Sequence, residues 1–219
     1  MIYNEDCISG MKKLPDESID MILTDPPYGM SFQSGYRKVK HSKIENDDNL
    51  DWLSEFAQEC YRLAKNDTAH YIFCSWHKID EFKQEFEKYF IVKNILVWVK
   101  NNFGMGDLEA DFAPQTEFVL FLQKGRRKIN GKRESNVLNF IKTNNELHPT
   151  QKPIDLIEYL LIKFSNEGDT ILDPFMGSGT TAIASINLNR KYIGFEIDVN
   201  HYNTTIERIN NRNNLITLF

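Results

Sequence analysis

Short apolar runs alternate along this chain with segments whose apolar residues recur at helical spacing. Strand-like runs cover residues 18–24, 71–74, 95–99, 117–122, 170–173 and 192–195. Helical spacing covers residues 53–64, 78–89, a segment that begins at Pro153, and a segment that ends near Leu188. Strands that alternate with helices of this length form mostly parallel sheets covered by helices on both faces. The sequence therefore predicts a doubly wound α/β fold.

The size and composition of the chain exclude several classes of protein. With 219 residues, 41% hydrophobic and 26% charged, it suits one globular domain over residues 1–219 and not a disordered or fibrous chain. No run approaches 18 apolar residues, and no signal peptide is evident, so we expect no membrane partner. Three cysteines without C-x-x-C spacing argue against disulfides and a metal site, and they fit a reducing cytoplasm.

The distribution of charge points to a local anion-binding surface. The net charge is −5, but residues 124–142 carry seven basic side chains against one acid, Glu134. This segment therefore carries +6 and the rest of the chain −11. A basic segment on an acidic body can bind phosphates, and the alternative is a solvated loop.

A glycine turn after a predicted strand indicates a cofactor site. The strand ending at Asp173 leads into a turn with Gly177 and Gly179, and a helix follows. Such glycines let the backbone approach a ligand, and the helix N-terminus attracts anions. Glu196 ends the next strand, where an acid can bind ribose hydroxyls. The third glycine of a dinucleotide fingerprint is replaced by Ala182, and the alternative is a tight turn beside a solvated glutamate.

A second motif, Asp25-Pro26-Pro27-Tyr28, follows the strand at 18–24 and indicates a site for a planar amine. Asp25 and the Pro26 carbonyl can accept both N–H bonds of an exocyclic amino group, and Tyr28 can stack on the ring. The end of a strand is where doubly wound sheets bind ligands. The alternative is a proline-rich turn with a packing tyrosine.

Three motifs in one order resemble the β-group of DNA amino-methyltransferases. They are Asp25 to Tyr28, then His148-Pro149-Thr150-Gln151-Lys152-Pro153, then 173–181. The catalytic motif comes first and the cofactor loop last, a circular permutation of the methyltransferase fold, whereas release-factor and many RNA methyltransferases have the reverse order. The resemblance implies S-adenosylmethionine as cofactor and site-specific methylation of adenine N6 in double-stranded DNA. Cytosine N4 stays open as the alternative target, although Ser is commoner than Asp at the first catalytic position of those enzymes.

The same resemblance implies roles for individual residues. The catalytic residues are Asp25, Pro26, Pro27 and Tyr28. The cofactor-binding residues are Asp6, Cys7, Lys152, Asp173, Phe175, Gly177, Ser178, Gly179, Thr180 and Glu196. No metal is expected, since no Cys or His partner has ligand spacing around His148.

The region expected to contact DNA is short. The family usually places its target-recognition region between the strand ending at Leu122 and the His148 motif. In this chain only residues 124–147 are available for it. An insert at 29–49 or a second subunit is therefore expected to share DNA recognition. The predicted DNA-binding residues are Arg37, Lys38, Lys124, Arg126, Arg127, Lys128, Lys132 and Arg133. A homodimer and a cognate restriction nuclease stay open as partners. A catalytically silent DNA-binding module and a nicotinamide-dependent oxidoreductase are the rival functions.

Overall fold

An eight-stranded mixed sheet forms the centre of the computed structural model, which describes residues 1–29, 49–105, 107–143 and 151–216. The strands are β1 Ile2–Tyr3, β2 Met21–Thr24, β3 Thr68–Cys74, β4 Ile91–Val99, β5 Thr116–Lys124, β6 Val137–Asn139, β7 Thr170–Asp173 and β8 Lys191–Phe195. The helices are α1 Cys7–Met11, α2 Leu53–Leu63, α3 Ile79–Glu87, α4 Ile154–Phe164, α5 Thr180–Asn187 and α6 Val199–Ile216.

All but one of these strands run in the same direction. Their order is β1-β8-β7-β2-β3-β5-β4-β6, and β5 is antiparallel to both of its neighbours. We call the edge where the parallel strands end the carboxyl edge, and the opposite edge the amino edge. Because β5 is reversed, it begins at the carboxyl edge, where Phe118 pairs with Cys74 at the end of β3. The predicted mostly parallel sheet is confirmed, with β5 as the exception.

Helices cover both faces of the sheet, as the sequence predicts. Side chains alternate between the faces of a strand, so Ile22 packs with α2 and α3 on one face. Met21 and Leu23 pack with α4 on the other face. Fully burying an aliphatic or aromatic side chain contributes about 1.5–3 kcal/mol, so both faces stabilise the doubly wound arrangement.

Four elements were not predicted from the sequence. The two-residue β1 and the five-residue α1 are too short for a periodic pattern. β6 lies inside 124–147, where no strand was predicted. α6 is a long polar helix rich in asparagine. Pro153 is the residue before α4 and not its first residue, and no helix in the described ranges is long and apolar enough to cross a membrane.

Candidate active site

The carboxylate of Asp25 lies at the carboxyl edge, directly after β2. Two trans prolines follow it and end the strand, since proline cannot donate to a sheet ladder. The hydroxyl of Tyr28 donates to Asp25 Oδ1. The ammonium of Lys152 donates to Asp25 Oδ2 at 2.5 Å. Both oxygens of this carboxylate are therefore held, by groups from opposite halves of the chain.

Lys152 also contacts a second carboxylate, one that the sequence did not single out. Its Nζ lies 3.1 Å from Glu117 Oε2 and 5.1 Å from the centre of the Phe73 ring. Glu117 Oε1 in turn pairs with Lys100 Nζ at 2.6 Å. We refer to Asp25, Lys152, Glu117 and Lys100 as the four-charge cluster. The resemblance implied that Lys152 binds the cofactor, and the structure places its ammonium on Asp25.

Burial and pairing set the ionisation of this cluster. Burial raises the pKa of Asp25, and Lys152 offsets this only in part. Burial alone would lower the pKa of Lys152, but the two carboxylates outweigh it and hold that pKa above the usual value. Burial alone would also raise the pKa of Glu117, but Lys152 and Lys100 bring it down to about 2. Glu117 is therefore the more firmly ionised of the two carboxylates.

The loop after β7 forms the second half of the site. Asp173 ends the strand and accepts hydrogen bonds from Thr24 Oγ1 at 2.6 Å and from the Phe175 N–H at 3.2 Å. Burial raises the pKa of Asp173 to about 6. Gly179 has a φ of 77°, and a Cβ there would lie 2.6 Å from Thr205 Cγ2. Glycine is therefore required at this turn, both for its backbone conformation and for close approach of α6.

Two side chains of helix α6 donate hydrogen bonds to this loop. Thr205 Oγ1 donates to the Gly177 carbonyl at 2.6 Å, and Arg208 donates to the Ser178 carbonyl at 2.8 Å. These two residues were not predicted from the sequence. The recurrence of Tyr202, Thr205 and Ile209 at i, i+3 and i+7 is the signal that could have located the helix.

Glu196 follows β8 and faces the same loop. Its carboxylate accepts from the Gly177 N–H at 2.7 Å and from the Asp198 N–H at 3.0 Å. Burial outweighs these two bonds and raises the pKa of Glu196 to about 7. A carboxylate at the end of the strand next to β7 has the position expected of a ribose-binding acid.

The two predicted N-terminal cofactor residues lie beside this strand. β1 pairs with β8, and Asn4 Nδ2 donates to the Glu196 carbonyl at 2.8 Å. Asp6 caps α1 by accepting from the Ser9 N–H at 2.8 Å. Burial raises the pKa of the Cys7 thiol to about 12, so Cys7 is a neutral, buried group.

A cleft with about 430 Å³ of empty space, which includes open solvent, joins the two halves of the site. Seven of the predicted site residues line it, namely Asp25, Lys152, Asp173, Phe175, Gly177, Ser178 and Thr180. The wall behind Phe175 is aromatic, with ring centres of Trp52 and Phe56 each 5.4 Å away. These two aromatic residues were not predicted as part of the site.

The basic segment starts at the opposite edge of the sheet and returns to the carboxyl edge only at its end, where the Lys142 N–H donates to Asn101 Oδ1 at 2.9 Å. It begins at Lys124, which pairs with Thr68 at the amino edge of the sheet. The Lys124 ammonium is buried, donates to the Ala64 carbonyl at 2.9 Å, and so does not face solvent. Arg127 donates to the Phe164 carbonyl. The other predicted DNA contacts of the segment are exposed at this edge, namely Arg126, Lys128, Lys132 and Arg133.

Among the described residues, the predicted DNA contacts between positions 124 and 133 therefore lie apart from the catalytic motif. For Lys124 the structure shows an internal role in place of the predicted contact with phosphate. For the four exposed residues, contact with DNA stays a prediction. Arg37, Lys38 and residues 148–150 lie outside the described residues.

The fold, with a glycine loop and the aspartate of an Asp-Pro-Pro-Tyr motif facing one cleft at the carboxyl edge, is that of an S-adenosylmethionine-dependent methyltransferase. The model of the DNA methylase family matches residues 19–207, and the chain belongs to that family of N6/N4 methyltransferases. This membership excludes the nicotinamide-dependent alternative.

Individual relatives agree with the family. The chain is 29% identical over 245 residues to the DNA adenine methyltransferase YhdJ of Escherichia coli, covering 95% of this chain and 82% of YhdJ. The crystal structure of the M1.HpyAVI–SAM complex is similar with a TM-score of 0.74 and 30% identity, over 95% of this chain and 98% of that one. The PvuII cytosine-N4-specific DNA methyltransferase shares the fold, with a TM-score of 0.75 and 19% identity over 90% of this chain and 81% of that one.

Proposed function

We propose that this protein transfers a methyl group from S-adenosylmethionine to the N6 atom of adenine in double-stranded DNA. The observation that carries the proposal is the position of Asp25, a partly buried carboxylate that lines the same cleft as the glycine loop. The site requires an acceptor for an amino group beside a cofactor pocket, and Asp25 provides it.

The residues present fit the cofactor. The glycine loop from Phe175 to Thr180 would hold its methionine part, and Glu196 would accept bonds from its ribose hydroxyls. Asp6 and Cys7 are placed one strand further along, where the adenine of the cofactor would lie. When bound, the cofactor supplies an electrophilic methyl carbon on a positively charged sulfur, and the electrons of the broken C–S bond return to that sulfur.

Asp25 and its neighbours would act on the target base. The amino nitrogen of a flipped base donates its two hydrogen bonds to Asp25 and to the Pro26 carbonyl, and Tyr28 stacks on the ring. These bonds orient the nitrogen lone pair, which forms the new N–C bond. The positive charge that grows on the nitrogen is stabilised by Asp25. Because burial raises the pKa of Asp25, this carboxylate can also take the proton that the methylated nitrogen releases.

Adenine is the proposed target because Asp25, and not a serine, occupies the first catalytic position. YhdJ is named an adenine methyltransferase, which supports the same choice. Cytosine N4 is the second candidate, since PvuII methyltransferase is a cytosine-N4 enzyme with a similar fold.

The test is methyl transfer to DNA from a host that lacks modified bases, followed by hydrolysis and analysis of the nucleosides. We expect N6-methyladenine from the parent protein and at least about 100-fold slower single-turnover transfer from Asp25→Asn. Asp80→Asn, an exposed change on α3, is the matched control. N4-methylcytosine would establish the second candidate. No transfer by a protein that binds the cofactor and DNA would establish a silent DNA-binding module.

Other aspects of the setting remain proposals. Cys7, Cys60 and Cys74 are free and buried, which supports action in a reducing cytoplasm. A second subunit and a cognate restriction nuclease stay predictions from the family resemblance, as does a single domain over residues 1–219 with DNA-contacting inserts at 29–49 and 124–147.

A further inference from the structure

One buried ammonium group lies between two partly buried carboxylates at this site, whose side chains are 21% and 22% exposed. The side chain of Lys152 is only 8% exposed, and its Nζ contacts Asp25 Oδ2 at 2.5 Å and Glu117 Oε2 at 3.1 Å. A buried charge requires a counter-ion, because an unpaired ion in a dry site costs several kcal/mol. Lys152 has two counter-ions where one would satisfy this requirement.

Building on the proposed function, we propose that Glu117 is the counter-ion of Lys152 during methyl transfer, which leaves the negative charge of Asp25 for the target nitrogen. Asp25 cannot fully neutralise Lys152 and the charge growing on the amine at the same time. Glu117 is a positioning residue in this scheme, since it acts on the target only through Lys152 and Asp25.

The fold explains how Glu117 reaches the site. As the second residue of the reversed strand β5, it lies at the carboxyl edge, beside the end of β3. Its other oxygen is held by Lys100 at 2.6 Å. Two ammonium groups therefore keep Glu117 ionised and in place, while Asp25 is held by one ammonium and one phenol.

The net charge of the four-charge cluster determines the direction of the change in cofactor affinity that the proposal predicts. With all members ionised, the four-charge cluster is neutral. Glu117→Gln leaves it at +1, Lys152→Met leaves it at −1, and the double variant restores neutrality. S-adenosylmethionine carries a positive sulfur, whereas its demethylated product S-adenosylhomocysteine carries a neutral one. The ratio of their dissociation constants therefore reports the charge of the site.

The experiment measures both dissociation constants by calorimetry for the parent, Glu117→Gln, Lys152→Met and the double variant. We expect the ratio of the S-adenosylmethionine constant to the S-adenosylhomocysteine constant to rise about 5- to 10-fold in Glu117→Gln. A unit charge about 7 Å away has an effect of this size at an effective dielectric constant of about 40, a value between those of a protein surface and bulk water. The ratio should fall in Lys152→Met and return to the parent value in the double variant. Glu134→Gln, which breaks an ion pair with Lys163 on another part of the surface, is the matched control.

Single-turnover transfer to DNA gives a second measurement at saturating cofactor. We expect Glu117→Gln to be at least about 10-fold slower than the parent, and the double variant to be faster than Glu117→Gln. Glu117→Asp, which keeps the charge, should retain more activity than Glu117→Gln.

An unchanged affinity ratio in Glu117→Gln would overturn the proposal, as would a double variant no faster than the single one. The thermal midpoint of each variant shows whether it folds. If Glu117→Gln does not fold, Glu117→Asp provides the comparison. An affinity ratio and a transfer rate equal to those of the parent would then support a role of the charge of residue 117. A parent that binds both cofactors but methylates no DNA would contradict the proposed function, and the affinity ratios would still test Glu117.

Discussion

The hydroxyl of Thr24 donates to Oδ1 of Asp173 across 2.6 Å, which joins the last residue of β2 to the last residue of β7. Thr24 and Asp173 are both almost completely buried, at 1% and 4% exposure. The bond therefore fixes the spacing between the Asp25 motif and the glycine loop in a site with little water.

Replacing this hydroxyl should destabilise the protein in a pH-dependent way. The pKa of Asp173 is raised to about 6, so the acceptor is mostly ionised at pH 8 and mostly protonated at pH 5. Hydrogen bonds to charged groups contribute about 1.5–3 kcal/mol. We expect Thr24→Val to lower the free energy of unfolding in urea by about 2 kcal/mol at pH 8, and by less at pH 5. Thr24→Ser, which keeps the hydroxyl, is the control, and equal losses at both pH values would contradict the prediction.

Cofactor affinity should increase with pH through the titration of Glu196. Its pKa is about 7 in the free protein, and only the ionised carboxylate is a full acceptor for two hydroxyls. We expect the affinity for S-adenosylmethionine to rise up to about tenfold between pH 6 and pH 8, with proton release at pH 7. Glu196→Gln should weaken binding about 10- to 100-fold at pH 8 and reduce this pH dependence. A pH dependence in Glu196→Gln as steep as that of the parent would assign it to another group.

Charge reversal in the basic segment distinguishes DNA contact from a surface role. The seven residues of β3 separate the two edges of the sheet by about 20 Å. DNA bound at the catalytic motif must extend over this distance to reach the basic segment. If it does, as the sequence predicts, Arg126→Glu combined with Lys128→Glu should reduce the salt slope of DNA binding by about one unit for each lost phosphate contact. An unchanged slope would show that these residues form a solvated surface and that DNA does not reach the amino edge.

His70 should make the protein less stable in acid. It is fully buried, and its Nδ1 accepts from the Ile22 N–H at 3.1 Å. Burial lowers the pKa of His70 to about 3, whereas the unfolded value is about 6.5. The unfolded state therefore binds the proton first, and stability falls as the pH decreases from 6.5 towards 3.

The comparison with His70→Asn isolates this contribution. Asparagine keeps an acceptor near the position of Nδ1 but does not titrate. Between pH 7 and pH 5, we expect the stability of the parent to fall by about 2 kcal/mol relative to that of His70→Asn. Parallel stability curves for the two proteins over this range would disprove the role of His70.

Local patterns in the sequence were sufficient for much of the fold and for the two motifs. The buried strands β2 and β7 and the amphipathic helix α2 produce strong periodic signals, and the proline and glycine turns mark where the strands end. The reversal of β5 has no local signal, because a buried strand reads the same in either direction. Glu117 was missed for this reason, since its place beside Lys152 depends on that reversal and on the register of β5 with β3.

The location of the basic segment could not be predicted for a related reason. Counting charges shows that residues 124–142 are basic, but it does not show that they run from the amino edge at Lys124 to the carboxyl edge at Lys142. Lys124 leaves the reversed strand at the amino edge, where its ammonium lies over the Tyr61 ring and donates to the Ala64 carbonyl at the end of α2.

The pairing of β2 with β7 also affects how this protein is made. These adjacent strands are about 150 positions apart in the chain, and each contributes one wall of the cavity. Contacts so distant in sequence form late, because a long loop must close first. A growing chain on the ribosome therefore has the catalytic motif long before it can bind cofactor. Cofactor binding is consequently a direct assay of complete folding, and no N-terminal fragment that lacks β7 should methylate DNA.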